Sequence, residues 1–96
     1  MAWIRQAQER NDQKYFFNGK AFITNGAKTL LNNEEVINLI LELQQLAIKE
    51  GGLDYLQVFK NENEKVIWVI DQIDEDMKDK YPLEHNYFTI LLPSEY

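Results

Sequence analysis

The sequence predicts a single α+β domain spanning residues 1–96, with elements in the order α-β-α-β-β-β and an antiparallel sheet packed on the long second helix. The stretch Tyr55 to Asp74 holds two runs rich in Val, Ile, Phe, Tyr and Trp on either side of the polar residues 60–65, which is typical of a β-hairpin. The stretch from Asn32 or Asn33 to about Glu50 carries helix signals. At 96 residues and 45% hydrophobic, the chain can form one packed core but not a second, independent catalytic domain.

The first two elements are predicted from local patterns. Residues 2–13 lack Gly and Pro and place Trp3, Ile4 and Ala7 on one side of a short helix. Asn-Gly pairs at 18–19 and 25–26 indicate turns, so residues 20–24 between them are predicted to be a strand.

The second helix is predicted to begin at Asn32 or Asn33, which can cap it, and to end before Gly51, which tolerates the left-handed conformation of a helix C-terminus. Its apolar residues form two arcs. We expect the broad arc to face the sheet and the narrow arc to be covered by the first helix. The alternative is that the narrow arc is an exposed stripe for self-association or partner docking. The broad arc is Val36, Leu39, Ile40, Leu43, Leu46 and Ala47, and the narrow arc is Ile37, Leu41 and Ile48.

The second arm of the hairpin is apolar at successive positions, so residues 66–71 are predicted to form the central strand of the sheet, with Trp68 as a candidate core residue. A charged loop at 74–84 follows. Residues 86–92 are predicted to form the last strand, which Pro93 ends.

Charge is unevenly distributed along the chain. The net charge is −6, and residues 50–96 alone carry four lysines against eleven acidic residues, a net charge of −7. This disfavours direct nucleic-acid binding and favours a basic protein partner. The absence of cysteine excludes disulfides and thiolate metal sites and fits a reducing cytoplasm. No apolar run predicts a signal peptide or a membrane span.

The candidate partner-binding residues are Asp71, Asp74, Glu75, Asp76 and Asp79. Dense carboxylates can hold Ca²⁺ or Mg²⁺, but the spacing is not that of a calcium loop, so we expect a solvated acidic loop with no metal. Asp71 differs from the other four because it follows a strand predicted to be buried, where it can act as a catalytic acid or as a hydrogen-bond anchor. His85 is the only histidine and is expected to be a surface residue, and no cofactor is predicted.

Short motifs along the chain carry a resemblance. They are Asn11-Asp12, Thr24-x-Gly26, Asp54-Tyr55, Trp68-x-Ile70-Asp71 with Asp74, and Thr89 to Leu92 followed by Glu95-Tyr96. Together they resemble an uncharacterised family of short bacterial proteins found on plasmids and prophage-like elements, whose pattern includes N-D, T-x-G, W-K-I-D-Y-Y-D and L-T-I-M-L-A-x-E-Y. Val69 stands where that family has Lys, and the family's E-H-D element before Asp54 is missing.

What the resemblance implies is a mobile-element setting, since the family has no established activity. We expect the matching polar residues to cap or tie backbone groups at element ends. The alternative is that they converge on one small site. They are Asn11, Asp12, Thr24, Asp71, Glu95 and Tyr96.

The function that we predict is a non-enzymatic inhibitor or adaptor of phage or mobile-element type. It would bind a basic surface on a host protein, such as a nucleic-acid-binding defence component, with carboxylates imitating phosphates. Three alternatives stay open: acidity that serves only solubility, a protein that sequesters a small nucleotide as a homodimer, and a metal-dependent nucleotide hydrolase that uses Asp71 and its neighbouring carboxylates.

Overall fold

The fold is α+β, as predicted, and the described residues form a mixed five-stranded sheet with two α-helices. The computed structural model describes residues 3–6, 14–73, 77, 80 and 86–96. The strands are β1 (Ile4–Arg5), β2 (Lys20–Ile23), β3 (Leu56–Lys60), β4 (Val66–Asp71) and β5 (Tyr87–Leu91), and the helices are α1 (Asn25–Leu30), α2 (Asn33–Glu50) and a 3₁₀ turn (Pro93–Glu95). The strand order across the sheet is β1-β3-β4-β5-β2.

The predicted hairpin is present as β3 and β4, which pair antiparallel from Leu56 opposite Ile70 to Lys60 opposite Val66. Its turn is organised by Asn61, whose side-chain oxygen accepts hydrogen bonds from the amides of Asn63 and Lys65, each at 3.0 Å. Such a side chain replaces backbone partners that a turn lacks. β4 is the middle strand of the five, so its predicted central position is confirmed.

The prediction that all strands of the sheet are antiparallel is wrong for one strand, β2. β2 is present where predicted, but it lies beside β5 and runs parallel to it, with Lys20 opposite Tyr87 and Ile23 opposite Ile90. β5 also pairs antiparallel with β4, so it joins the hairpin to β2. Turn signals report only on neighbouring residues, whereas this pairing joins residues more than sixty positions apart, and nothing in the local sequence encodes it.

The start of the chain also differs from the prediction. Ile4 and Arg5 are not helical but pair antiparallel with Lys60 and Phe59 of β3, and the Gln6 amide donates to the carbonyl of Val58 at 2.8 Å. A short one-sided helix gains little stability alone, so pairing with the free edge of β3 prevails. The remainder of the predicted helix, residues 7–13, lies outside the described residues.

One helix was not predicted. Asn25-Gly26 begins α1 instead of breaking the chain, because the Thr24 hydroxyl caps the helix by accepting a hydrogen bond from the Ala27 amide at 3.2 Å. Ala27, in the middle of this helix, is completely buried.

The termini of α2 follow the sequence signals. Asn32 is the N-cap and forms a capping box with Glu35, in which each side chain accepts a hydrogen bond from the other residue's amide at 2.8 and 3.0 Å. Gly51 ends the helix in the left-handed conformation at φ 74°, which a residue with a Cβ adopts only at a cost.

The core lies between α2 and one face of the sheet. Because side chains alternate along a strand, the buried residues of β3, β4 and β5 that meet α2 occupy the same face. The broad arc of α2 supplies the helical side of this core, as predicted. The buried residues of the two surfaces are Leu39, Leu43 and Ala47 on α2 and Phe59, Ile67, Val69, Phe88 and Ile90 on the sheet.

Trp68 lies on the opposite face of the sheet, away from α2. It is half-buried, and the Tyr96 ring that follows the 3₁₀ turn meets it edge-on at 5.8 Å between ring centroids. Trp68 is therefore at the margin of the core and not within it. Of the helices in the described part of the chain, none combines the length and the apolarity needed to cross a bilayer.

Candidate functional site

Asp71 is the one predicted partner-binding residue that the described part of the chain contains. Asp71 ends β4, is only 2% exposed, and accepts a hydrogen bond from the Phe17 amide at 3.0 Å through its Oδ2 atom. Its carboxyl group points inward, so in this conformation a protein partner has almost no access to it. Of the two roles foreseen for Asp71, the hydrogen-bond anchor is the one that this contact supports.

The residue that Asp71 holds is unusual. Phe17 is completely buried and has φ 53°, in the left-handed region that is uncommon for a bulky residue. The Gln44 side chain on α2 donates to the Phe17 carbonyl at 3.0 Å, so both backbone polar groups of Phe17 bond to side chains from other elements. Local strain of this kind persists where the surroundings fix the backbone, and here Asp71 and Gln44 fix it.

The other predicted partner-binding residues, Asp74, Glu75, Asp76 and Asp79, lie outside the described residues, and their role stays a prediction. Both ends of the connection that carries them are described. Ile73 is 5% exposed, and the Gln72 amide donates to the Tyr87 carbonyl at 3.3 Å. The connection between β4 and β5 is therefore fixed at its base, at the end of the central strand.

A pair of tyrosines lies at the same end of the sheet. The Tyr55 carbonyl accepts a hydrogen bond from the Asp71 amide at 2.9 Å, and the Tyr55 side chain is 40% exposed. Its ring meets that of Tyr15 edge-on, with centroids 6.2 Å apart. The position of Tyr15 is set by two backbone hydrogen bonds with Leu53, at 2.9 and 3.1 Å.

Asp54 adds a carboxylate beside this pair. Its Oδ1 atom accepts a hydrogen bond from the Tyr55 amide at 2.8 Å, which fixes the start of β3. From the sequence, Asp54 and Tyr55 stood out only as a motif and as the start of the hairpin, and no surface was predicted here. The sequence feature that could have indicated this surface is Tyr55 itself, a large aromatic residue immediately before β3. Its partner Tyr15 is forty residues away in the chain, so the pair could not be predicted. We call Tyr15, Asp54 and Tyr55, with Gln72 and Ile73 where the chain leaves β4, the acidic end of the sheet.

The narrow arc of α2 is exposed. Ile37, Leu41 and Ile48 have exposed fractions of 57%, 47% and 76%. The prediction that a first helix covers them is wrong, since Ile4 and Arg5 belong to the sheet instead. The alternative, an exposed stripe, is what the structure has. We call these three residues the apolar stripe.

Four residues of the resembling motifs, Thr24, Gly26, Leu92 and Glu95, meet near the C-terminal end of the chain. The Thr24 hydroxyl donates to Glu95 Oε1 at 2.6 Å, and the amides of Leu92 and Gly26 donate to the Glu95 carboxylate at 2.9 and 3.3 Å. A Cβ on residue 26 would lie 2.7 Å from that carboxylate, so a larger residue there would displace the Glu95 side chain from this position. The hydrogen bond from Thr24 and then that from Leu92 lower the pKa of Glu95 below its ordinary value of 4.5.

The capping role expected of the matching polar residues is thereby confirmed for Thr24, Asp71 and Glu95, each of which lies at the end of an element and accepts a hydrogen bond from a backbone amide. They do not share one site, because Asp71 bonds Phe17 while Glu95 bonds the start of α1. Asn11 and Asp12 lie outside the described residues.

The described residues contain no group of three or more His, Asp or Glu side chains placed to hold a metal ion. The chain matches no protein-family model, no curated protein and no solved structure. The resemblance to a mobile-element family therefore stays a prediction.

Proposed function

We propose that this protein is a non-enzymatic inhibitor or adaptor, and that it binds a basic surface of a protein partner through the acidic end of the sheet. The observation that carries the proposal is the hydrogen bond from the Asp71 amide to the Tyr55 carbonyl. This hydrogen bond joins the exposed Tyr55 to the end of β4, and the acidic stretch of the sequence follows that strand. Aromatic anchors beside charged groups are typical of protein-binding surfaces.

The chemistry of the acidic end fits Lys and Arg side chains. Carboxylates of Asp54 and of the connection would pair with cations, while the exposed face of Tyr55 offers a stacking surface for a guanidinium group. The net charge of −7 after residue 49 would also raise the association rate with a basic partner through long-range attraction. A host protein that normally binds nucleic acid has such a surface, and in the mobile-element setting that the resemblance implies it would be a defence component.

The first test is a pull-down from host lysate at low and high salt, followed by purification of the retained protein and measurement of its association and dissociation rates. We expect a partner with a clustered basic surface whose association slows steeply as salt rises. The double substitution Asp74→Lys with Glu75→Lys should slow association by about tenfold or more at low salt.

A matched control is available at the other end of the sheet. Glu62→Lys with Glu64→Lys makes the same change of charge in the exposed β3–β4 turn. The control should have a much smaller effect on association, because these two residues lie at the far end of β4 from Asp71. Equal slowing by the two double variants would show that only net charge matters and would reject the acidic end as the binding surface.

Tyr55→Ala distinguishes direct contact in the complex, which sets the dissociation rate, from long-range electrostatic attraction, which sets the association rate. The substitution keeps the backbone carbonyl that bonds Asp71, so the fold should be retained. It should speed dissociation by about tenfold, as the loss of an aromatic anchor does, with little change in the association rate. Unchanged dissociation would remove Tyr55 from the interface.

A further inference from the structure

The apolar stripe and Gln44 together form a row whose spacing reads the same in both directions. Ile37, Leu41, Gln44 and Ile48 follow one another at intervals of four, three and four residues. At about 100° per residue these four positions fall within about 60° of the helix circumference and extend about 16 Å along it. Gln44 is half-buried and completes the row between two exposed apolar residues.

We propose that the apolar stripe is a dimer interface, and that its occupant is α2 of a second copy of this chain running antiparallel across a two-fold axis. Residues that face each other across such an axis have numbers with a constant sum. With a sum of 85, Ile37 faces Ile48 of the second copy and Leu41 faces Gln44 of the second copy, each pair occurring twice. This is the self-complementary arrangement that a two-fold interface requires.

Charges at the ends of the stripe support the same alignment. Glu34 in the first turn of α2 and Lys49 in the last turn are both exposed. In the antiparallel register, position 36 faces Lys49 of the second copy. Glu34 is two residues from position 36, or about 3 Å along the helix axis. Two symmetric ion pairs would then flank the apolar row. A parallel arrangement would instead place Glu34 beside Glu34 and Lys49 beside Lys49.

Like charges do not block this pairing. Glu42 is the acidic residue nearest the two-fold axis, but it lies about 120° around the helix from the centre of the stripe, at the solvated margin of the contact, where water and salt screen its charge. Gln44 faces Leu41 of the second copy while its amide donates to the Phe17 carbonyl of its own chain, so that donor keeps its partner. The antiparallel helix dipoles also attract.

The dimer is expected to be weak and to respond to salt in the opposite way from the proposed partner complex. One helix face is smaller than the roughly 800 Å² that each partner contributes to a standard interface. Each copy carries a net charge of −6, so the copies repel at long range. Salt screens this repulsion and should tighten the dimer, whereas it weakens binding to a basic partner. The inference goes beyond the proposed function and does not depend on it.

Sedimentation equilibrium of the full chain, from about 1 µM to about 1 mM at low and high salt, tests the association. We expect the mass to rise from 11.4 kDa towards twice that value, with a tighter dimer at high salt. Ile48→Glu should raise the dissociation constant by about tenfold or more, because symmetry places two charges in the interface. A monomer at every concentration and salt would overturn the proposal.

Ile4→Glu is the matched control. Ile4 is 65% exposed on β1, close to the 76% of Ile48, but it lies outside the stripe. The control should dimerise as the unmodified chain does, and circular dichroism should show both variants folded. Equal loss of the dimer in both variants would show that surface charge in general, and not the stripe, controls association, and would overturn the proposal.

The register has its own test, since the chain contains no cysteine. Under mild oxidation, Ile37→Cys mixed with Ile48→Cys should form a disulfide-linked dimer that contains one chain of each kind. Each variant alone should not, because identical positions would lie about 16 Å apart. Efficient crosslinking of either variant alone would indicate parallel helices and would overturn the antiparallel arrangement.

Discussion

Replacement of Asp71 by Ala should destabilise the fold strongly. Phe17 is completely buried, so loss of the Asp71 oxygen that lies 3.0 Å from its amide leaves a buried donor without that acceptor, at a cost of about 1–3 kcal/mol. Removal of a side chain that is 2% exposed also leaves space in the packed interior. Together we expect a loss of about 2–4 kcal/mol in the free energy of unfolding.

Urea unfolding followed by tryptophan fluorescence measures this loss, and two further variants separate its causes. Asp71→Asn keeps an acceptor oxygen of the same size and should cost only about 1 kcal/mol. Gln44→Ala removes the hydrogen bond to the Phe17 carbonyl and should also cost about 1 kcal/mol. Because Asp71 and Gln44 hold the same residue, their double substitution should depart from additivity by about 0.5 kcal/mol or more. A change below about 0.5 kcal/mol for Asp71→Ala would refute the anchor role.

Two further predictions concern the C-terminal end of the chain. The lowered pKa of Glu95 means that its ionised form is stabilised by folding. Its contribution is complete above the ordinary pKa of 4.5 and is lost as the pH falls through the lower folded value. Glu95→Gln should therefore reduce the loss of stability between pH 5 and acid, measured as urea midpoints against the unmodified chain. An unchanged pH profile would contradict this stabilising role of the Glu95 carboxylate. Trp68→Ala should cost about 2 kcal/mol, between a core and a surface value, because Trp68 is half-buried against Tyr96. A loss of 4 kcal/mol or more would place Trp68 in the core instead.

Elements that form from neighbouring residues could be predicted, and α2 is the clearest case. Its cap, its first-turn acids and its terminal glycine act within a few residues, so Asn32 and Gly51 bound the helix as expected. The hairpin of β3 and β4 is equally local, since a five-residue polar turn sets its register. The successive apolar residues of β4 likewise indicated a strand that is covered on both faces, and therefore a central position in the sheet.

Candidate site residues were predictable only by type. A carboxylate after a buried strand identified Asp71 as desolvated, but the sequence could not show that it meets Phe17, fifty-four residues away. The contact between Tyr15 and Tyr55 likewise joins residues that are distant in the sequence, so it could not be predicted either. Contacts of this range depend on how the elements are arranged in space.

The sequence by itself therefore determined the α+β class, the long helix, the central hairpin and the acidic second half of the chain. Tertiary structure decided which edge each outer strand joined. Residues 4–5 became a strand because the free edge of β3 offered backbone partners, and β2 lies parallel to β5 because the helices return the chain across the sheet. It also left the apolar stripe of α2 exposed. The physical reason is range: caps and turns act over three or four residues, whereas strand pairing and burial depend on groups that only the folded chain brings together.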